Sequence, residues 1–480
     1  MNLTSLHYLI FLGAAAALHF ALPRRLRWVV LLAASYYFYA SWKLEYVAVL
    51  AGATAVSYGG GLAIARARPG AQKRLALAAG IVLILGALVG FKYLDFFNDT
   101  ARALFARLSL AYSFRGFGLL APIGISFYAL QATGYLVDVY RGKTPPERHL
   151  GVFAVFVSFF PQLVSGPIER AGRVLPQVRR ASGFSFAGAA EGLALVVFGL
   201  FQKLVIADRL AIYVDEVFAH PAAYRGWPVA VAAYFYTIQI FCDFAGYTDI
   251  ALGSARLLGY ELVANFDRPY FSTTVVEFWR RWHISLSTWF RDYLFIPLGG
   301  SRVSAPRRAL NLMIVFLVSG LWHGARWTFV AWGGLHGAYM VASVATGGVR
   351  ERLARRLPGA LRRARAVVQA AIVFHLVAFA WIFFRADSLA TARTLIANLL
   401  RPAAGGRRVA EAVFSSYDLK VAIAAILFLA GVHVLQGRRG AAGFTARMST
   451  WARWAYLYAL VAAILVFGEF GITKFIYSQF

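Results

Sequence analysis

Polar and ionisable residues are scarce in this chain, and they crowd between Cys242 and Gly337. That stretch reads CDFAGYTDIALGSARLLGYELVANFDRPYFSTTVVEFWRRWHISLSTWFRDYLFIPLGGSR; after a short basic loop comes SGLWHGARWTFVAWGGLHG. His323 ends a strongly apolar run, NLMIVFLVSGLWHG, between Gly320 and Gly324 and beside Trp322 and Trp327. An imidazole with an unperturbed pKa of ~6.5 is proton-accepting near neutral pH. A histidine at a glycine-marked helix break can therefore take the proton of an attacking hydroxyl. The competing reading is a hydrogen-bonded core histidine, which is commoner for a lone histidine in an apolar run.

His283 lies in a second pattern. Val275–Leu294 reads as one helix with an aromatic stripe of Phe278, Trp282, Leu286, Trp289 and Tyr293. Arg280, His283, Ser287 and Arg291 make a second stripe at i, i+3, i+7 and i+11. Glu277 precedes Arg280 and Arg281 at a spacing suited to ion pairing. Such a helix lies at a membrane interface or lines a wet cavity. Guanidinium pairs bidentately with phosphate and carboxylate, so Arg280 and Arg291, with Ser287, are candidates for holding anionic groups of a substrate. The alternative is a basic interfacial helix that holds lipid headgroups, with His283 merely solvated. Asp243 and Tyr247 share a helix face near the end of an apolar span, with Asp249 close by. They are further substrate-binding candidates; the competing reading is that the carboxylates satisfy backbone amides and arginines around a helix break. Cys242 has no basic neighbour and reads as packing. The lone cysteine excludes an intrachain disulfide and a cysteine-based zinc site. No H-E-x-x-H occurs, and no bound metal or cofactor is expected.

The elements that position these groups must be membrane helices. Hydrophobic residues make up 60% of the 480 and charged residues 15%, against about 25% in a soluble protein. Mean hydropathy is +0.62. The composition fits an all-α polytopic membrane protein and excludes a secreted disulfide scaffold, a coiled coil and a disordered chain. The net charge of +28 reads as basic loops on the cytoplasmic face against anionic lipid, not as a nucleic-acid surface.

Runs of the ~20 apolar residues a span needs occur at Leu6–Leu22, Trp28–Trp42, Tyr46–Ala65, Leu75–Phe97 and Leu119–Val137. Others follow at Phe186–Ile206, Val229–Leu252, Trp327–Val344, Val367–Phe384, Val421–Leu435 and Trp454–Phe470. Met1–Leu22 lacks a basic start and a cleavage site, and is expected to be a retained first span. Gly151–Val164, with Pro161, is expected to be re-entrant; Leu310–Leu321, with Gly320, is short for a span. Irregular backbone at membrane depth survives where protein or water covers it, so both places are site candidates. With no linker or internal repeat, one membrane domain over residues 1–480 is expected.

Taken together, RRWHISLSTWFRDYLFIPLGG and GLWHGARWTFVAWGGLHG resemble the membrane-bound O-acyltransferase family, and within it the bacterial alginate O-acetyltransferase branch. PIGISFYALQATGYLVDVYRG at Pro122–Gly142, FFPQLVSGPIERAGRVLPQ at Phe159–Gln177 and the final FIYSQF extend the likeness over nearly the whole chain. Ala245 stands where that branch often has serine. The resemblance implies a ring of about eleven transmembrane helices around a thinned centre, with re-entrant and amphipathic helices. It implies transfer of an acyl group, from a donor reached from the cytoplasm, to hydroxyls of an exported polymer. That donor would be acetyl-CoA or another acyl thioester. His323 matches the family's central histidine and His283 its second; Trp322 falls beside the first. Expected partners are the exported polysaccharide, membrane or periplasmic polysaccharide-modification proteins and the bilayer of a bacterial inner membrane. Acylation of peptidoglycan or D-alanylation of teichoic acid are sister readings. A transporter is disfavoured because transporters usually show repeated halves, and a noncatalytic lipid-binding scaffold would leave His323 dispensable.

The arginines of Arg350–Arg365, together with those after the first and third spans and before the last, put these loops on the cytoplasmic side and the N-terminus outside. A cysteine placed at Gly348 should therefore resist an impermeant thiol reagent in intact cells and react once the membrane is opened. Labelling from outside overturns the orientation.

Overall fold

In lipid a backbone must satisfy its polar groups within its own segment, so apolar runs of this length fold as helices. The computed structural model describes residues 1–480 except 165, 356, 403–413, 437–447, 472–475 and 477–480. Arg356, Arg438, Arg439 and Arg447 of the basic loops, and all of FIYSQF except Ile476, lie outside the described residues. Among the described residues there is no strand. Among the described residues, seven helices are long and apolar enough to cross a membrane: Leu44–Arg66, Ala71–Lys92, Phe186–Ala219, Trp227–Leu257, Leu361–Arg385, Ser416–Gln436 and Thr450–Phe467. Several other expected spans are shorter helices. Leu6–Ala21 and Ile125–Tyr140 have 16 residues each, about 24 Å at 1.5 Å per residue against a hydrocarbon core of about 30 Å.

The chain divides into two units. The first comprises Met1–Leu193 and Ala251–Val263. It holds α1 (Leu6–Ala21), α2 (Arg27–Ala40), α3 (Leu44–Arg66), α4 (Ala71–Lys92), α5 (Leu94–Arg107), α6 (Ile125–Tyr140), α7 (Leu150–Ser158), α8 (Phe160–Leu163) and α9 (Ala171–Arg180). The expected irregularity in Gly151–Val164 is present: α7 stops at Phe159, and α8 is a single turn with Pro161 in its first positions. The Phe156 carbonyl before the break accepts from Gln131 Nε2 at 2.5 Å and Gln162 Nε2 at 3.2 Å, and Phe160 N donates to Ser35 Oγ at 3.1 Å. Side-chain amides and a hydroxyl thus replace the helix ladder where it is interrupted.

The second unit comprises Ala194–Ile250 and Ala264–Phe480. Its boundaries with the first fall inside α10 (Phe186–Leu200) and α12 (Trp227–Leu257). A π-helical segment, Phe201–Ala207, joins α10 to α11 (Asp208–Ala219). Then come α13 (Val275–Arg281), α14 (Ile284–Phe290), a second π segment at Arg291–Phe295, α15 (Ala305–His323), α16 (Trp327–Ala345), α17 (Gly347–Arg355) and α18 (Gly359–Arg385). The last are α19 (Leu389–Leu399), α20 (Ser416–Gln436) and α21 (Thr450–Phe467).

Asp243 and Tyr247 do not sit at a helix break. They lie inside α12, fully buried, and the counter-charge is a lysine, not an arginine. Lys203 Nζ lies 2.6 Å from Asp243 Oδ1 and 2.6 Å from Asp208 Oδ1, with the Tyr247 ring 5.6 Å away. Asp243 Oδ2 accepts from Ile476 N at 2.9 Å. Asp249 is likewise spent, on Gln202 Nε2 at 2.7 Å. Gly199 and Gly246 permit this approach: a Cβ on Gly246 would sit 2.7 Å from the Gly199 carbonyl oxygen. Breaking a buried ion pair by removing one partner costs about 3–5 kcal/mol. Lys203→Met should therefore lower the thermal midpoint of the purified protein sharply; a midpoint unchanged from wild type would show the triad to be dispensable.

Candidate active site

His323 is the last residue of α15. The helix starts after Ser304 with Pro306 in its first turn, where the missing N–H costs nothing. It runs 19 residues, longer than the Leu310–Leu321 run predicted, and stops at Gly324, whose backbone is extended. Gly320 does not break the helix. It and Gly333 let α15 and α16 touch backbone to backbone: a Cβ on Gly320 would fall on the Phe329 carbonyl oxygen, and one on Gly333 on that of Phe316. Farther along, Gly337 faces Met313 and Phe316. This crossing holds the end of α15 against the start of α16. His323 is 4% exposed there, with ring centroids of Trp322 at 4.9 Å, Trp332 at 5.0 Å and Phe384 at 5.4 Å.

The single helix expected over Val275–Leu294 is broken. Thr274 caps α13 through its side chain to Glu277 N, while Glu277 Oε2 accepts from Thr273 N at 2.8 Å. Glu277 pairs with Arg281 at 2.7 Å and leaves Arg280 without an acid among the described residues. The chain then turns at His283, which has φ +43. A left-handed conformation at a non-glycine residue persists only when its surroundings dictate it. Here Asp267 N donates to the Arg281 carbonyl at 3.0 Å and Ile284 N to that of Asn265 at 2.9 Å. The Asn265 side chain accepts from Ser285 N at 3.3 Å and Ser285 Oγ at 2.6 Å. The segment 265–267 thus clamps the backbone on both sides of the turn. Ser287 Oγ donates to the Trp282 carbonyl that the turn frees, at 3.1 Å.

The turn separates the predicted stripe into two places. His283 is fully buried, 4.7 Å from the Phe244 ring, 6.1 Å from Trp322 and 6.4 Å from His323. Burial pulls its pKa down to about 3, so it is neutral at physiological pH. Arg280, Ser287 and Arg291 instead line a cavity of about 460 Å³ with Trp279, Phe316 and Ser319, and neither histidine lines it. Arg280 and Arg291 are exposed, and Arg291 Nε also meets Asp292 at 2.8 Å. The structure therefore brings His323, His283 and Trp322 together and places the arginines at a separate, mostly apolar cavity. Asp243 and Tyr247 belong to the lysine network.

Sequence reasoning missed Asn265, Lys203 and Trp332. Lys203 could have been found, because a lysine inside an apolar run is functional or paired by default. Asn265 stands in an ordinary turn-like ANFDRP with no spacing to mark it.

This is a multi-pass helical membrane protein with a paired-histidine centre. The family model for the membrane-bound O-acyltransferase family matches residues 149–384. The chain is 39% identical over 397 residues to a probable alginate O-acetylase of Azotobacter vinelandii, covering 81% of this chain and 76% of that one. It is 39% identical over 387 residues to the corresponding protein of Pseudomonas putida, covering 79% and 76%. To the peptidoglycan O-acetyltransferase of Helicobacter pylori it is 34% identical over 399 residues, covering 78% and 73%. The chain belongs to the membrane-bound O-acyltransferase family. It is an O-acyltransferase of the bacterial inner membrane.

The crossing of α15 over α16 makes a direct prediction. Forcing a methyl into such a contact costs about 1–3 kcal/mol. Gly320→Ala should lower both thermal stability and acyl transfer, whereas alanine at Gly334, where the nearest atom is Leu317 Cδ2 at 3.8 Å, should not. Equal behaviour of the two variants would refute the close-approach account.

Proposed function

We propose that this chain O-acetylates an exported polysaccharide, alginate above all, with His323 as the general base. The observation that carries the reading is the pairing of two buried imidazoles, His323 and His283, 6.4 Å apart among aromatic rings. The two alginate O-acetylase relatives support the choice of polymer. The Helicobacter pylori relative favours peptidoglycan as the second reading.

A sugar hydroxyl is a poor nucleophile until a base within ~3 Å takes its proton. In the reaction proposed, His323 takes that proton as the hydroxyl oxygen attacks the acetyl carbonyl of an acyl thioester such as acetyl-CoA. The carbon–oxygen bond forms, the carbon–sulfur bond breaks, and the proton passes from His323 to the leaving thiolate. His283 is neutral and fixed by its clamped backbone, which suits it to orient a substrate group or the first imidazole. Trp322 lies against both rings and would form the wall on which the acceptor rests. Arg280 and Arg291, with Ser287, would hold anionic groups of the donor at the rim of their cavity. Asp243 and Tyr247 would act from a distance, through the lysine network, without touching substrate. The donor would arrive from the cytoplasm. Membrane or periplasmic polysaccharide-modification proteins would present the polymer.

General-base assistance contributes about 10²–10⁴-fold in rate. His323→Gln should lose at least that much polymer acetylation with expression and thermal stability retained, and His283→Ala should lower turnover in a folded protein. The measurement is ester-linked acetate on the polymer of complemented deletion cells. Turnover by His323→Gln within a few-fold of wild type sinks the mechanism.

A further inference from the structure

Among its described residues the second unit holds buried donors that meet no acceptor. Trp279 Nε1, Trp332 Nε1 and Trp381 Nε1 meet no acceptor among the described residues, and neither nitrogen of His336 has a hydrogen-bond partner there. Trp332, Trp381 and His336 are fully buried and Trp279 is 7% exposed. Buried polar groups are normally paired, so each exception calls for an explanation. The four form one cluster. The Trp332 ring lies 4.9 Å from His336, 5.6 Å from Trp381 and 5.8 Å from Trp279. Trp332 and His336 stand one helical turn apart on α16, yet they make no hydrogen bond with each other.

Of the three indoles, Trp332 also packs against His323, with 5.0 Å between ring centroids and planes at 90°. It sits there because Gly320 and Gly333 press α15 onto α16. An acyl transfer that uses His323 as base must also stabilise the negative charge that appears on the thioester carbonyl oxygen when the hydroxyl attacks. Such charge is best met by a fixed donor in a dry site, already in place before the reaction. A fully buried N–H with no acceptor, one ring away from the base, has those properties.

We propose that Trp332 donates its Nε1–H to the oxyanion formed during acyl transfer. This rests on the reading of His323 as base. The hydroxyl oxygen bonds to the carbonyl carbon, the carbonyl electron pair moves onto oxygen and is held by Trp332, and its return expels the thiolate, which takes the proton from His323. Trp381 stacks behind Trp332 at an interplanar angle of 19° and has no part in this step.

The test replaces the donor atom and nothing else. 3-Benzothienylalanine has the shape of tryptophan with sulfur in place of N–H. It is introduced at position 332, and separately at 381, in cells whose polymer acetylation depends on this chain. Initial rates of acetate esterification are compared with wild type, Trp332→Phe and His323→Gln. Removing one oxyanion donor typically costs about 10²–10³-fold, so the benzothienyl variant at 332 should fall by that factor at normal protein level. The same replacement at 381 should stay within about threefold of wild type. Near-normal rates at 332, or equal losses at 332 and 381, overturn the assignment. If Trp332→Phe fails while the benzothienyl variant works, the ring serves packing alone and the assignment is again wrong. Loss at 332 with an active His323→Gln would instead overturn the base reading and leave the oxyanion donor standing.

Discussion

The contact on which the candidate site depends is the backbone-to-backbone crossing of α15 and α16. Carbonyl oxygens of Phe316 and Phe329 occupy the space where side chains of Gly333 and Gly320 would otherwise project. Helices that approach this closely have little freedom to slide, because any larger residue at the crossing meets backbone and not a flexible side chain. His323 at the end of one helix and Trp332 within the other are therefore fixed relative to each other by the main chain. Packing at this density leaves side chains few alternatives, which is what a reaction that tolerates little misplacement requires.

The second fixed point is the turn at His283. A residue forced to φ +43 stores strain, and the loop from Asn265 to Asp267 holds it there with backbone and side-chain hydrogen bonds on either side. The turn directs the imidazole inward, away from the cavity that its sequence neighbours Arg280 and Ser287 line. A continuous helix would have put histidine and arginines on one face. The break divides them between a dry, aromatic interior suited to proton transfer and an open rim suited to charge.

Much of the architecture was legible because membrane helices announce themselves by composition alone. The two histidines were joined in the sequence only by the family resemblance; the residue spacing instead grouped His283 with Arg280, Ser287 and Arg291. The failures have specific causes. A periodicity reading assumes an unbroken helix, and Val275–Leu294 satisfied the period while a distant loop imposed a turn at His283. Gly320 reads as a break in the sequence because glycine is ambiguous between ending a helix and allowing another to approach it. The expectation that Asp243 satisfies backbone amides and arginines holds for the amide, Ile476 N, but not for the arginine, because nothing local distinguishes its ionic partner, Lys203, 40 residues earlier in the chain. Long-range pairings of this kind are set by the folded geometry, which spacing within one segment does not encode.

Lys203 also bears on how such a protein enters the bilayer. The segment Phe186–Ala219 carries Lys203, Asp208 and Arg209 in its interior, with Glu191, Asp215 and Glu216 nearer its ends. Each charge at the centre of a span costs ~2.5–3.5 kcal/mol on insertion scales. Asp208 meets Lys203 from within the same segment, but the second carboxylate of that lysine, Asp243, belongs to a later helix, and the acids that meet Arg209, Asp418 and Glu469, come near the end of the chain. A helix so burdened is poorly suited to release into lipid by itself. Arg209 meets its acids only in segments made after α12, so the order of synthesis bears on how this fold is reached.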